Sequence, residues 1–94
     1  MNNVEFANDL EKFVGLQSNN LNFKLNIIGN NLLEIINQDT GHKFVLLFVK
    51  NNQVTITVPD EINYITDAII LENVLRCIEN SALEVSRWRL INFR

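Results

Sequence analysis

The chain has 94 residues, 47% of them hydrophobic and 20% charged, with a formal net charge of -3. That balance excludes a disordered tail and allows one domain with a single modest core. The acidic balance (pI near 5.0) disfavours bulk nucleic-acid binding, which needs a positive field. No apolar run approaches the roughly 20 residues that span a bilayer, and the first residues lack the basic and apolar regions of a signal peptide. One cysteine, Cys77, allows no internal disulfide and suits a reducing compartment. A soluble, cytoplasmic protein is expected. Asparagine takes about one position in six, mostly at turns, caps and exposed strand positions where structure favours it. An AT-rich genome, such as that of a phage or mobile element, gives such a bias.

In chain order, residues 3–15 predict an amphipathic helix. Phe6, Leu10 and Phe13 fall at i, i+4 and i+7, widened by Ala7 and Val14, while charged residues lie elsewhere. Asn2 or Asn3 can cap it and Gly15 offers a stop. Residues 17–20 read as a polar linker. Residues 21–27 alternate apolar and polar without a break, the period of a half-buried strand. Gly29, Asn30 and Asn31 then supply a turn tolerant of positive φ. Further strands are expected at 32–37, 43–49 and 53–58, with turns at residues 38–41 and 50–52. Pro59 ends the run, because proline cannot donate to a sheet ladder. Strands joined this tightly must pair as an antiparallel meander.

The third of these strands is apolar on both faces (Phe44, Val45, Leu46, Leu47, Phe48, Val49). Such a strand is central and covered twice, or covered once with its other face in an interface. A homodimer is therefore expected. Residues 66–79 predict the strongest helix, with Ala68, Leu71, Leu75 and Ile78 on one stripe broadened by Ile69, Ile70, Val74 and Cys77; Thr66 or Asp60 would cap it. Ser81 with Glu84 fits a capping box, which favours a short last helix over residues 82–91. The competing reading is a fifth strand, since Val85, Trp88, Leu90, Ile91 and Phe93 suit a sheet. The expected fold is thus a single α+β domain, α-β-β-β-β-α-α.

Catalytic signals are weak. His42 is the only histidine, in a turn, where a solvated side chain is expected. Cys77 lies on the apolar side of its helix and is expected to act as a small hydrophobe. No spaced metal-ligand cluster and no glycine-rich phosphate cradle occur, so no cofactor or metal is expected. One local anomaly remains: all four arginines fall at Arg76, Arg87, Arg89 and Arg94, and Trp88 sits between two of them. Arginine and tryptophan dominate interface hot spots. Arg87, Trp88, Arg89 and Phe93 are accordingly the candidate partner-binding residues. The alternative is that Trp88 caps the core while the arginines pair with Glu79 or Glu84 one turn away.

In size, acidity and helix-plus-meander plan the chain is similar to secretion chaperones and phage-encoded inhibitors of host defence, a likeness of plan alone. It implies a non-enzymatic module that occupies a surface of a larger protein as an inhibitor, immunity factor or chaperone. The second function class is a nucleic-acid-binding accessory protein using the C-terminal Arg/Trp cluster.

Overall fold

The computed structural model describes residues 1–17, 21–62 and 64–91, with 14–17 as backbone only. Helix α1 (Asn3–Gln17) is followed by strands β1 (Phe23–Ile28), β2 (Leu32–Asn37), β3 (Lys43–Val49) and β4 (Gln53–Pro59). Helix α2 (Ile65–Asn80) and strand β5 (Glu84–Ile91) complete the chain. The sheet runs β1-β2-β3-β4-β5. Its first four strands pair antiparallel, as their tight turns require, and β5 lies parallel to β4.

The α+β class and the four-strand meander agree with the pattern of the sequence. The ends differ in detail. Of the linker expected at residues 17–20, Gln17 is the last residue of α1 and 18–20 lie outside the described residues. Helix α1 continues past Gly15 to Gln17, and β1 starts at Phe23 although the alternation begins at Leu21. Asn2 is the cap: its Oδ1 accepts the Glu5 N–H at 2.9 Å, satisfying one of the orphan donors of the first turn. Helix α2 starts after Tyr64 with no side-chain cap, so neither Thr66 nor Asp60 has that role.

The last element is the main correction: residues 84–91 form a strand, not a helix. Ser81 does not begin anything; it is the C-cap of α2. The Ala82 N–H donates to the Glu79 carbonyl at 3.3 Å and the Leu83 N–H to the Ile78 carbonyl at 3.2 Å. Ala82 takes a left-handed φ of 55°. This is the Schellman arrangement, in which two backbone bonds reach back over a left-handed residue to satisfy orphan carbonyls. Its usual hydrophobic contact is supplied by Leu83 and Ile78, both buried. The turn reverses the chain, and α2 serves as the crossover that a parallel strand needs.

Both helices lie on one face of the sheet. Phe6, Ala7 and Leu10 of α1 and Ile70, Val74, Cys77 and Ile78 of α2 close over Leu33, Ile35, Phe44, Leu46, Phe48, Val54, Ile56 and Val58. The Phe6 and Phe48 rings meet at 5.3 Å between centroids, tilted by 56°, a favourable aromatic geometry. Asn3, itself buried, docks α1 on the β1–β2 turn by donating to the carbonyls of Leu32 at 2.8 Å and Gly29 at 3.3 Å. Pro59 fits an interior strand because pairing with β3 stops at Thr57. The Asp60 N–H reaches the Ile91 carbonyl at 2.8 Å, so by alternation the donor that proline lacks would face β3, beyond the end of that ladder.

A non-glycine residue in the left-handed region costs about 1–2 kcal/mol, against about 0.4–1 kcal/mol of extra unfolded-chain entropy for glycine. Ala82→Gly is therefore expected to stabilise the fold, raising the midpoint of urea unfolding with no change of slope. A lowered midpoint would show that the left-handed turn is not the native one.

Candidate functional site

Strand β5 carries three of the candidate binding residues, Arg87, Trp88 and Arg89, and among the described residues it is an edge. Its register pairs Thr55 with Arg87, Ile56 with Trp88, Thr57 with Arg89 and Val58 with Leu90, after a bulge between Val54 and Thr55. Paired residues share a face. Trp88 and Leu90 therefore stand on the helix-covered face, beside buried Ile56 and Val58, while Arg87 and Arg89 stand on the other. The run Arg87, Trp88, Arg89 is split between two surfaces, so Trp88 is not sandwiched by two guanidinium groups. Phe93 lies outside the described residues.

The inner row across the sheet explains the exposure of Trp88. It runs Ile27, Leu33, Leu46, Ile56, Trp88. Its middle three members are fully buried, whereas Ile27 and Trp88 at the ends are 48% and 50% exposed. Leu90 is 72% exposed. Trp88 is thus the half-open end of a core row, neither a core tryptophan nor a detached surface one. Arg87 and Arg89 are exposed and make no ion pair among the described residues. Arg76 does pair, with Glu72 at 2.7 Å one turn away on α2; Glu79 and Glu84 are not the partners of these arginines.

The face opposite the helices carries a second feature. One row there is Ile28, Leu32, Leu47, Thr55 and Arg87; the next is Asn26, Glu34, Val45, Thr57 and Arg89. No described helix covers it. Lys43 approaches Glu34 at 3.8 Å on this face, a long contact between an exposed lysine and a half-buried carboxylate, of small energetic weight.

A buried polar cluster ties the β2–β3 turn to the start of α2. Asp67 is fully buried. Its Oδ1 accepts from Asn37 Nδ2 at 2.7 Å and from Thr40 Oγ1 at 3.2 Å, and its Oδ2 meets His42 Nδ1 at 2.6 Å. Asn37 Nδ2 also donates to Thr66 Oγ1 at 2.9 Å, while its Oδ1 accepts the Asp39 N–H at 3.0 Å. The His42 ring lies edge-on to Tyr64 at 5.8 Å. Asp67 sits in the first turn of α2, where the helix dipole favours a carboxylate.

His42 is therefore not a solvated turn residue, as its isolation between Gly41 and Lys43 had implied. It is half of a His–Asp pair that only the fold assembles. No spacing signals it, since the partners stand 25 residues apart. The arrangement orients one ring nitrogen with a carboxylate, the way an acid–base histidine is held, but it also makes a structural clamp. Cys77 offers no nucleophile to it. Burial pushes its thiol up to about 11, Asp9 adds to the rise, and a hydrogen bond from Ser81 opposes it. The reactive thiolate is scarce near neutral pH. Among the described residues no three His, Cys, Asp or Glu side chains converge as metal ligands, and no helix is long and apolar enough to cross a membrane.

No family model, no curated protein and no solved structure matches this chain. The geometry alone carries the functional argument.

The clamp is testable by a double-mutant cycle. Removing one partner of a buried pair leaves the other uncompensated, at about 3–5 kcal/mol. His42→Ala, which leaves the fully buried Asp67 carboxylate without its Oδ2 partner, is expected to lose up to that much by denaturant unfolding, and Asp67→Ala, which leaves the partly exposed His42 ring, less. Their coupling should lie at about 0.5–3 kcal/mol. Strict additivity would mean that the two side chains do not hold each other.

Proposed function

We propose that the protein is a non-enzymatic protein-binding module that acts by occupying a surface of a larger partner, in the manner of an inhibitor, immunity factor or chaperone. One observation carries this reading. The end of the sheet is an open edge strand on which Arg87, Trp88 and Arg89 are all exposed, with Leu90 beside them. An aromatic with two arginines and an aliphatic is the composition of an interface core, and Trp and Arg supply most hot-spot energy. Trp88 stands opposite Ile56 in the register and is already half covered, so part of its surface is desolvated before a partner binds.

Trp88→Ala separates binding from folding. A half-exposed ring should lose well under the about 3–5 kcal/mol of a buried aromatic, leaving a cooperative thermal transition. Binding should weaken by about 2 kcal/mol or more, roughly thirtyfold. Pull-down from the native host, with bound proteins identified by mass spectrometry, should recover a partner with the wild-type chain and lose it with the variant. A partner retained equally by both places the site elsewhere.

Homodimerisation belongs to the same proposal. The uncovered face presents Leu32, Val45 and Leu47 on its two central rows, and a row of this kind is self-complementary about a two-fold axis. Light scattering at tens of micromolar should give twice the 10.9 kDa of one chain, and Leu47→Lys should return it to one chain with its far-UV spectrum intact. A monomeric wild type at that concentration removes the dimer and leaves the β5 site standing.

A further inference from the structure

The geometry points to the mode of binding at this site: β5 accepts an extended segment of the partner as a sixth strand, one that alternates acidic and apolar side chains. The inference rests on the protein-binding reading above and names its partner chemistry. It begins with the backbone. The Ile91 carbonyl accepts from Asp60 on the β4 side. In a strand the N–H and C=O of one residue point the same way and alternate from residue to residue. Arg87, Arg89 and Ile91 therefore direct their backbone groups at β4, and Trp88 and Leu90 direct theirs outward. Among the described residues no strand lies beyond β5. An edge of this kind takes an added strand through main-chain bonds, with side chains on alternate faces giving specificity.

The side chains define what that strand must carry. On the uncovered face it would lie beside Arg87 and Arg89, two cations that no described residue pairs. On the covered face it would lie beside Trp88 and Leu90, at 50% and 72% exposure. Charge complementarity asks for carboxylates on the first face, and burial of Trp88 and Leu90 asks for aliphatic groups on the second. A second copy of β5 meets this demand only in a register centred on its own bulge, which would set Glu84 opposite Arg89 and Val85 opposite Trp88 where the strand is irregular. Antiparallel self-pairing centred on Trp88 sets Arg87 opposite Arg89 of the other copy, and centring it on either arginine sets that arginine opposite itself. Like charges directly opposite destabilise a strand pair. The other edge, β1, offers a single cation, Lys24, and has no tryptophan.

The only tryptophan of the chain reports on the site. The probe is a synthetic seven-residue peptide, capped at both ends, alternating glutamate with valine; a second peptide has lysine in place of glutamate. The glutamate peptide should give a saturable blue shift of Trp88 emission, weakened by salt, and the lysine peptide should bind the wild-type chain at least tenfold more weakly. Arg87→Glu with Arg89→Glu should invert that preference. The comparison of two peptides on the wild-type chain needs no variant, so it holds even if the double variant folds poorly. No response of Trp88, or equal response to both peptides, overturns strand addition. The module reading is then decided by the Trp88→Ala pull-down alone. Self-association abolished by Leu90→Pro but untouched by Leu47→Lys would put a second copy on the edge and also overturn the proposal.

Discussion

Two helices can hide one face of a five-stranded sheet and little more. Strands stand about 4.8 Å apart, so five of them present a face of roughly 24 Å, and two helices of about 10 Å each cover some 20 Å of it. The deficit falls at the margins. That is why Leu33, Leu46 and Ile56 are sealed while Ile27 and Trp88, at the two ends of the same row, are half open. The same constraint leaves the opposite face without a helix among the described residues, although β3 is apolar toward it. Core, edge and uncovered face are consequences of one ratio of helix to sheet.

Within that layer the position of the helices is held by polar groups at both ends. Asn3 fastens the start of α1 to the β1–β2 turn, and Asp67 fastens the start of α2 to Asn37, Thr40 and His42. Buried polar groups of this kind are costly unless every partner is in place, so they select one placement of each helix where apolar packing alone would tolerate several. Asn73 is the exception, with a buried Oδ1 that finds no hydrogen-bond partner among the described residues. The His42–Asp67 pair fits this anchoring role, because it joins the β2–β3 turn to the first turn of α2.

The strands from β1 to β4 were legible because β1 and β4 alternate with period 2 and Asn- or Gly-bearing turns bound the apolar runs of β2 and β3 between them; Asn51 and Asn52 indeed take the positive φ that such turns need. Residues 81–91 were not, because Ser81 and Glu84 imitate a capping box. What decides the matter is Leu83. It docks beside Ile78 as the anchor of a C-terminal cap, and a residue so committed cannot also start a new helix. Alanine at the left-handed position hides the motif, since glycine is its usual mark. The candidate site was legible in composition and not in arrangement: Arg87, Trp88 and Arg89 stand out in the sequence, but a helix would have fanned them around a cylinder. A strand divides them cleanly between two faces. His42 with Asp67 was not legible at all, because only the docking of α2 on the β2–β3 turn brings them together.

An open edge strand is ordinarily an aggregation hazard, and proteins blunt such edges with charge or bulges. β5 has both: a bulge near its start and two arginines in the span that remains regular. These features oppose pairing of β5 with itself while leaving Trp88 and Leu90 uncovered on the other face. If protection were the only demand, lysine or glutamate at position 88 would serve better than a half-exposed tryptophan, which adds apolar surface to the edge it should guard. A charge pattern that repels copies of the chain, set beside an aromatic that gains from being covered, is the combination expected of an edge reserved for a strand of opposite charge.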